Sequence, residues 1–143
     1  MHCADTSFLL SYYGADRNTG AARAQRTTTA EPLHIHALND FEFANALRAL
    51  VFRKVIAPER KSRWLADFEA DKNSGVLIVA LLDANAVLRR AETISSARTE
   101  SSGNRSYDIL LVAAAKLLGA THFWSFDARQ RELARAEGLL VGP

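Results

Sequence analysis

Only one cysteine, Cys3, occurs among the 143 residues. No disulfide can form within the chain, and a reducing compartment is expected. Long apolar runs are missing too. The longest, Val76 to Leu82, is far too short to span a bilayer. The N-terminus lacks a basic region followed by an apolar one, so no secretory signal is read and a cytoplasmic location is expected. There is no repeat, no low-complexity tract and no linker long enough to divide the chain, which predicts one domain over residues 1–143. No P-loop, G-x-G-x-x-G or G-x-S-x-G motif is present, which leaves nucleotide cofactors and serine hydrolysis without support.

What is present is the composition of a globular protein. Hydrophobic residues make up 48% and charged residues 24%, which argues against disordered and fibrous classes. The formal charge is +2, and Arg and Lys gather at Arg53-Lys54, Arg60-Lys61, Arg63 and Arg89-Arg90. If acids are drawn into one pocket, the remaining surface is clearly positive and suited to a phosphate backbone. The alternative for any one cluster is a solvated helix face.

Periodicity and stop signals predict alternating strands and helices. His2 to Ala4 reads as a short buried strand and Thr6 to Tyr13 as a helix that breaks near Gly14. Asn18 to Ala30 reads as an exposed helix ended by Pro32, and Leu33 to His36 alternates as a strand does. A helix follows from Asn39 or Asp40 to Val55, with Phe43, Leu47, Leu50 and Val51 as its apolar stripe. Pro58 opens another, to about Asn73, before the extended segment Val76 to Leu82. Further helices are expected over Ala84 to Ala97, Ser106 to Leu118 and Ala128 to Ala136, with Thr99 to Asn104 as a loop. Thr121 to Phe126 and Leu139 to Val141 complete the strands. The alternation predicts a three-layer α/β/α sandwich with a central, mainly parallel sheet, in which ligands bind beyond the carboxyl ends of the strands.

Four acids fall where such a fold can gather them. Asp5 and Asp127 end strands expected to be neighbours, while Glu42 and Asp108 stand in first turns of helices. Each has a structural explanation of its own. Asp5 can cap the next helix, and Asp127-Ala128-Arg129-Gln130 matches a capping box. Asp108 and Glu42 can complement a helix dipole. Together they suggest more. Residues 107 to 118 are apolar almost all round, so Asp108 is carried on a buried helix and needs a cation or donor nearby. Ala46 and Ala49 beside Glu42, and Val112 and Ala115 beside Asp108, are short enough to leave room for ions and substrate. A set of carboxylates with only oxygen ligands suits Mg²⁺ or Mn²⁺ rather than Zn²⁺.

These acids, in this order, resemble those of the PIN domain family and, within it, the VapC-type toxins of bacterial toxin–antitoxin pairs. The matching segments are Asp5-Thr6-Ser7, Asn39 to Leu47 around Glu42, Arg105 to Leu110 around Asp108, and Ser125-Phe126-Asp127. The resemblance implies a single PIN-like domain over residues 1–143. It also implies a Mg²⁺- or Mn²⁺-dependent endoribonuclease in which Asp5, Glu42, Asp108 and Asp127 bind metal and act in catalysis. Thr6, Ser7 and Ser125 would be secondary polar residues, and Arg105 a contact to an RNA phosphate. A small antitoxin protein and a homodimer are the implied partners, with the helices near 7–30 and 39–73 as the antitoxin surface. Many members carry a further acid after the fourth; Ala128-Arg129-Gln130 supplies none.

Other residues carry simpler readings. His34 and His36 alternate on a strand, and His2 and His122 are ordinary strand residues. Cys3 reads as a small buried residue. Trp64 and Trp124 read as core, although Trp64, beside Arg60, Lys61 and Arg63, is also placed to stack on a base or face a partner. Two alternatives to the ribonuclease stand: a non-catalytic RNA- or protein-binding module of the same fold, and a nuclease acting on DNA ends or ribosomal RNA precursors.

Overall fold

The computed structural model describes all residues, Met1–Pro143. Five parallel strands form one sheet in the order β3-β2-β1-β4-β5. The strands are β1 (His2–Ala4), β2 (Leu33–His36), β3 (Leu77–Ala80), β4 (His122–Trp124) and β5 (Leu140–Gly142). Seven helices connect and cover them: α1 (Thr6–Tyr13), α2 (Thr19–Arg26), α3 (Ala37–Phe52), α4 (Pro58–Ser74), α5 (Ala84–Ser102), α6 (Ser106–Leu117) and α7 (Ala128–Ala136). The α/β sandwich predicted from the alternation is therefore what forms.

Side-chain alternation along the strands builds a core on each face. Ala4, Trp124, Leu33, Ile35 and Leu77 point to one side, where Phe8, Leu9, Phe43, Leu47 and Phe68 of α1, α3 and α4 close over them. Cys3 and Phe123 point to the other, under Val87, Ile94, Ile109, Val112 and Leu133 of α5, α6 and α7. Helix α6 is buried along most of its length, as its apolar sequence requires.

The order of strands fixes where a site can sit. From β1 the chain steps outward through β2 to β3, then returns to the opposite side for β4 and β5. The crossovers diverge between β1 and β4, which is the crevice where open parallel sheets bind ligands. His2, Cys3 and Ala4 stand beside His122, Phe123 and Trp124 in register, so the residues that follow each strand emerge side by side.

Several boundaries differ from those expected. Helix α2 ends at Arg26 rather than Ala30, and α3 starts at Ala37 and stops at Phe52. The early start of α3 has a local cause. His36 Nδ1 accepts from the Leu38 N–H at 3.2 Å, while Asn39 Oδ1 accepts from the His36 N–H at 3.1 Å. This reciprocal cap places Glu42 in the second turn, not the first. Helix α5 runs on to Ser102, absorbing most of the expected loop Thr99 to Asn104. It ends at Gly103, whose φ of +60° is left-handed and natural to glycine. Strand β4 keeps only His122–Trp124; beyond it the Ser125 N–H still donates to the Gly142 carbonyl at 2.8 Å and Phe126 packs against the core on the α1 side.

Asn39 ties these pieces together. It is 2% exposed, and its Nδ2 donates to the Ala4 carbonyl at 3.2 Å while its Oδ1 holds the His36 N–H. Asn39→Ala removes both bonds and is expected to lower unfolding free energy by about 1–3 kcal/mol, as read by urea denaturation; an unchanged midpoint would show that this tether does not hold β1, β2 and α3 together.

Candidate functional site

The four acids meet in one hollow of about 310 Å³ at the carboxyl ends of β1 and β4. Asp5, Glu42, Asp108 and Asp127 all line it, with Thr6, Ser7, Arg105 and Tyr107 among their neighbours. Residues from both ends of the sequence reach this place because the switch point juxtaposes the turns after β1 and β4.

Asp5 sits deepest, at 4% exposure. Its Oδ1 accepts from the Phe8 N–H at 2.9 Å, capping α1, and from Ser7 Oγ at 2.7 Å. Its Oδ2 accepts from Ser125 Oγ at 2.7 Å. Ser7 Oγ in turn accepts from the Phe126 N–H at 2.9 Å, and Ser125 Oγ accepts from the Asp127 N–H at 3.0 Å. The two hydroxyls thus fasten the β4 turn to the β1 turn and orient Asp5 between them. Burial pushes the Asp5 carboxyl up to about 6; the Phe8 N–H and the two serine hydroxyls oppose the shift, and the charge of Asp127 adds to it.

Glu42 faces Asp5's neighbourhood from α3. Its Oε2 accepts from Thr6 Oγ1. Burial raises its carboxyl above the usual range; the Thr6 hydroxyl opposes this and the Asp108 charge reinforces it. Beside it, Tyr107 donates to the Leu38 carbonyl at 2.7 Å, pinning the start of α6 against α3.

Asp108 and Asp127 share one cation. Arg105 Nε donates to Asp108 Oδ2 at 2.8 Å, and Arg105 Nη2 donates to Asp127 Oδ2 at 2.9 Å. Asp127 Oδ1 is separately occupied by the N–H groups of Arg129 at 2.8 Å and Gln130 at 3.2 Å. Burial works against ionisation of Asp127, but those two N–H groups and the Arg105 guanidinium outweigh it and hold its carboxyl below the usual range. The hydrogen bond and charge of Asp108, and after them those of Asp127, raise the pKa of Arg105.

Several expectations need correcting at this level. Asp127 does cap α7, but the capping box is half formed, because the Gln130 side chain turns inward and donates to the Asp108 carbonyl at 3.2 Å. Ala46 lines the hollow as expected but Ala49 does not; Val112 and Ala115 are core residues on the far face, and Leu111 takes their place on the wall. Of the basic clusters, Arg90 is held by Glu137 at 3.1 Å and is not free for phosphate. His36 ends β2, as its reading as a strand residue expects, and also caps α3. Tyr107 and Gln130 went unrecognised in the sequence as wall residues. Their only signal was a polar group on an otherwise apolar or buried helix face.

The donor chemistry suits a hard divalent cation. Every carboxylate on the hollow offers oxygen, and none of its lining residues offers sulfur or imidazole. Asp5 and Glu42, both resisting ionisation, would be relieved by a nearby positive charge. The side chains do not stand as a closed cage, since no three His, Cys, Asp or Glu groups converge as a ready ligand set. The hydrogen bonds explain this: Arg105 draws Asp108 and Asp127 toward itself, and Thr6 holds Glu42.

A family model described as PIN domain matches residues 3–136. No curated protein matches the chain by sequence. Several solved structures share its fold, among them the following three. VapC20 of Mycobacterium tuberculosis, described as a Sarcin-Ricin loop cleaving toxin, gives a TM-score of 0.74 at 17% identity and covers 100% of both chains. FitAcB from Neisseria gonorrhoeae gives 0.67 at 14% identity, over 100% of this chain and 97% of that one. PAE2754 from Pyrobaculum aerophilum gives 0.61 at 16% identity, over 98% and 87%.

The buried acid yields a stability test. Folding raises the Asp5 carboxyl from 3.8 to about 6, so the folded chain holds that proton more tightly than the unfolded chain. Ionised Asp5 therefore lowers stability above about pH 6, and this penalty fades as pH falls toward the unfolded value. Asp5→Asn keeps a capping oxygen and removes the charge. In metal-free buffer near neutral pH its thermal midpoint is expected to rise by roughly a few degrees, with a smaller gain in mild acid. A lower midpoint at neutral pH would mean that the carboxylate is retained for stability.

Proposed function

We propose, from the premise that this chain belongs to the PIN domain family, that it is a Mg²⁺- or Mn²⁺-dependent endoribonuclease and the toxin of a VapBC-like toxin–antitoxin pair. The observation that carries this reading is the gathering of four carboxylates from distant parts of the chain into one hollow at the sheet's switch point. PIN domains are generally divalent-metal-dependent nucleases, and the similarity in fold to VapC20 supports RNA as the substrate class.

In this reading Asp5, Glu42, Asp108 and Asp127 hold the metal and form the catalytic set. A bound divalent ion supplies Lewis acidity, activating water and stabilising charge on the phosphodiester. The chain's own work is positional. Ser7 and Ser125 orient Asp5, and Thr6 orients Glu42. Arg105, 58% exposed at the rim, is placed to meet an RNA phosphate. We read residues 1–143 as one PIN-like domain acting in the cytoplasm; no helix is long and apolar enough to cross a membrane.

The competing reading is a non-catalytic RNA- or protein-binding module. It is favoured by the capping roles that Asp5 and Asp127 do perform. Glu42 separates the two, because it caps no helix and its side chain faces the hollow.

For the partner, we propose a small antitoxin on the face formed by residues 7–30 and 39–73. Adjoining hollows of about 460 and 500 Å³ run there between α1–α2 and α4, sharing Tyr13, Arg23 and Asp67. Trp64 lines one of them, with Arg60 over its ring at 6.0 Å. Phe41, Phe52 and Val55 are exposed nearby in sequence, at 65%, 86% and 64%. A homodimer is proposed from the family resemblance.

Purified protein with Mn²⁺ is expected to cut RNA, and Asp108→Asn to reduce the rate by roughly a hundredfold or more; in parallel, calorimetric heat of Mn²⁺ binding should vanish in Glu42→Gln. Equal cutting by the variants, or unchanged heat, would favour the binding module. Co-expression with an adjacent small open reading frame is expected to yield a co-purifying complex. Recovery of this chain alone would remove the antitoxin while leaving the nuclease in place.

A further inference from the structure

The arginine between the acids stands on the atom a metal would need. Asp127 has two carboxylate oxygens. Oδ1 is committed to the helix, accepting from the Arg129 and Gln130 N–H groups. Oδ2 faces Arg105 and accepts from its Nη2 at 2.9 Å. The other end of the same guanidinium fork, Nε, lies 2.8 Å from Asp108 Oδ2. Asp127 can therefore reach a cation in the hollow only through the oxygen that Arg105 holds, unless α7 gives up its cap. Arg105 has no competing anchor. It is the N-cap residue of α6 but makes no side-chain capping bond, and its side chain is 58% exposed against 14% for Asp108. Leaving the acids takes it into water at little cost, since exposed ion pairs are weak.

The geometry points to Arg105 as an exchangeable counter-ion, which screens Asp108 and Asp127 from each other until a divalent cation displaces it from Asp127. This rests on the metal-dependent reading of the hollow. It adds that the metal must compete with a cation built into the chain, and that the displaced guanidinium stays on the rim, free for phosphate. A divalent ion holds the advantage, because it brings twice the charge and binds carboxylate oxygen directly. Lysine would be a poorer latch, since a single ammonium lacks the two-pronged fork that spans both acids.

Mn²⁺ titrated into RNA-free protein tests this by calorimetry. Arg105→Gln, a change at an exposed side chain, is expected to bind Mn²⁺ roughly tenfold more tightly than the natural chain, with Arg105→Lys between them. As a second readout, the nuclear magnetic resonance signal of the Arg105 Nη2 protons, the group that serves Asp127, is expected to be protected from exchange in metal-free protein and to lose protection as diamagnetic Mg²⁺ is added. Equal or weaker Mn²⁺ affinity in Arg105→Gln, or an Arg105 signal unmoved at saturating Mg²⁺, overturns the exchange while the metal-dependent reading stands. If neither the natural chain nor the variant binds Mn²⁺, both fall together.

Discussion

Mutual repulsion among four carboxylates in one small hollow is the constraint around which this site is organised. The chain answers it differently at each acid. Asp5 is withdrawn from water and left reluctant to ionise, held by two hydroxyls and a backbone N–H. Glu42 leans on the Thr6 hydroxyl. Asp108 and Asp127 share a guanidinium. Neutral donors hold the two acids that burial makes reluctant to ionise, and a guanidinium bridges the other two.

Structural and functional duties overlap on the same atoms. Asp5 and Asp127 each use one oxygen to cap a helix and turn the other to the hollow. Capping fixes the carboxylate plane, which lets a short turn hold an oxygen in place without a rigid scaffold of its own. Ser7 and Ser125 extend this economy, each bonding Asp5 and a backbone N–H of the β4 turn. Asn39 does the same from the α3 side, joining the last residue of β1 to the cap of α3. The hollow is therefore rigid on its floor, where hydroxyl and amide bonds converge, and adjustable at its rim, where Arg105 makes ion pairs exposed to water.

Much of the fold could be read along the chain, because its elements are specified locally. The alternation of Leu33 to His36, the apolar run of α6 and the stop at Gly75 all act within a turn or two of themselves. The misplaced boundaries have local causes of a subtler kind. A histidine served as N-cap to α3, a role usually filled by smaller polar residues, and the serine- and threonine-rich Thr99 to Ser102 stayed helical until Gly103. Gln130 was assigned to a capping box on spacing alone, and the carbonyl it actually serves lies on another helix. Val112 and Ala115 were assigned to the hollow on helical spacing from Asp108, which cannot tell which flank of α6 meets the sheet.

The sequence by itself determined the order of strands and helices, the identity of the four acids and the residues able to cap the helices after β1 and β4. These depend on periods of two and 3.6 residues and on hydrogen bonds that span a few positions. That β1 and β4 are neighbours was expected from the sequence; only the tertiary structure decided their register, Ala4 beside Trp124, and through it that Asp5 and Asp127 open onto one hollow. It also decided that Arg105 bridges Asp108 to an acid far along the chain, and that burial lifts Asp5 toward neutrality. Strand register, desolvation and charge pairing are properties of neighbours in space, and no local pattern encodes them.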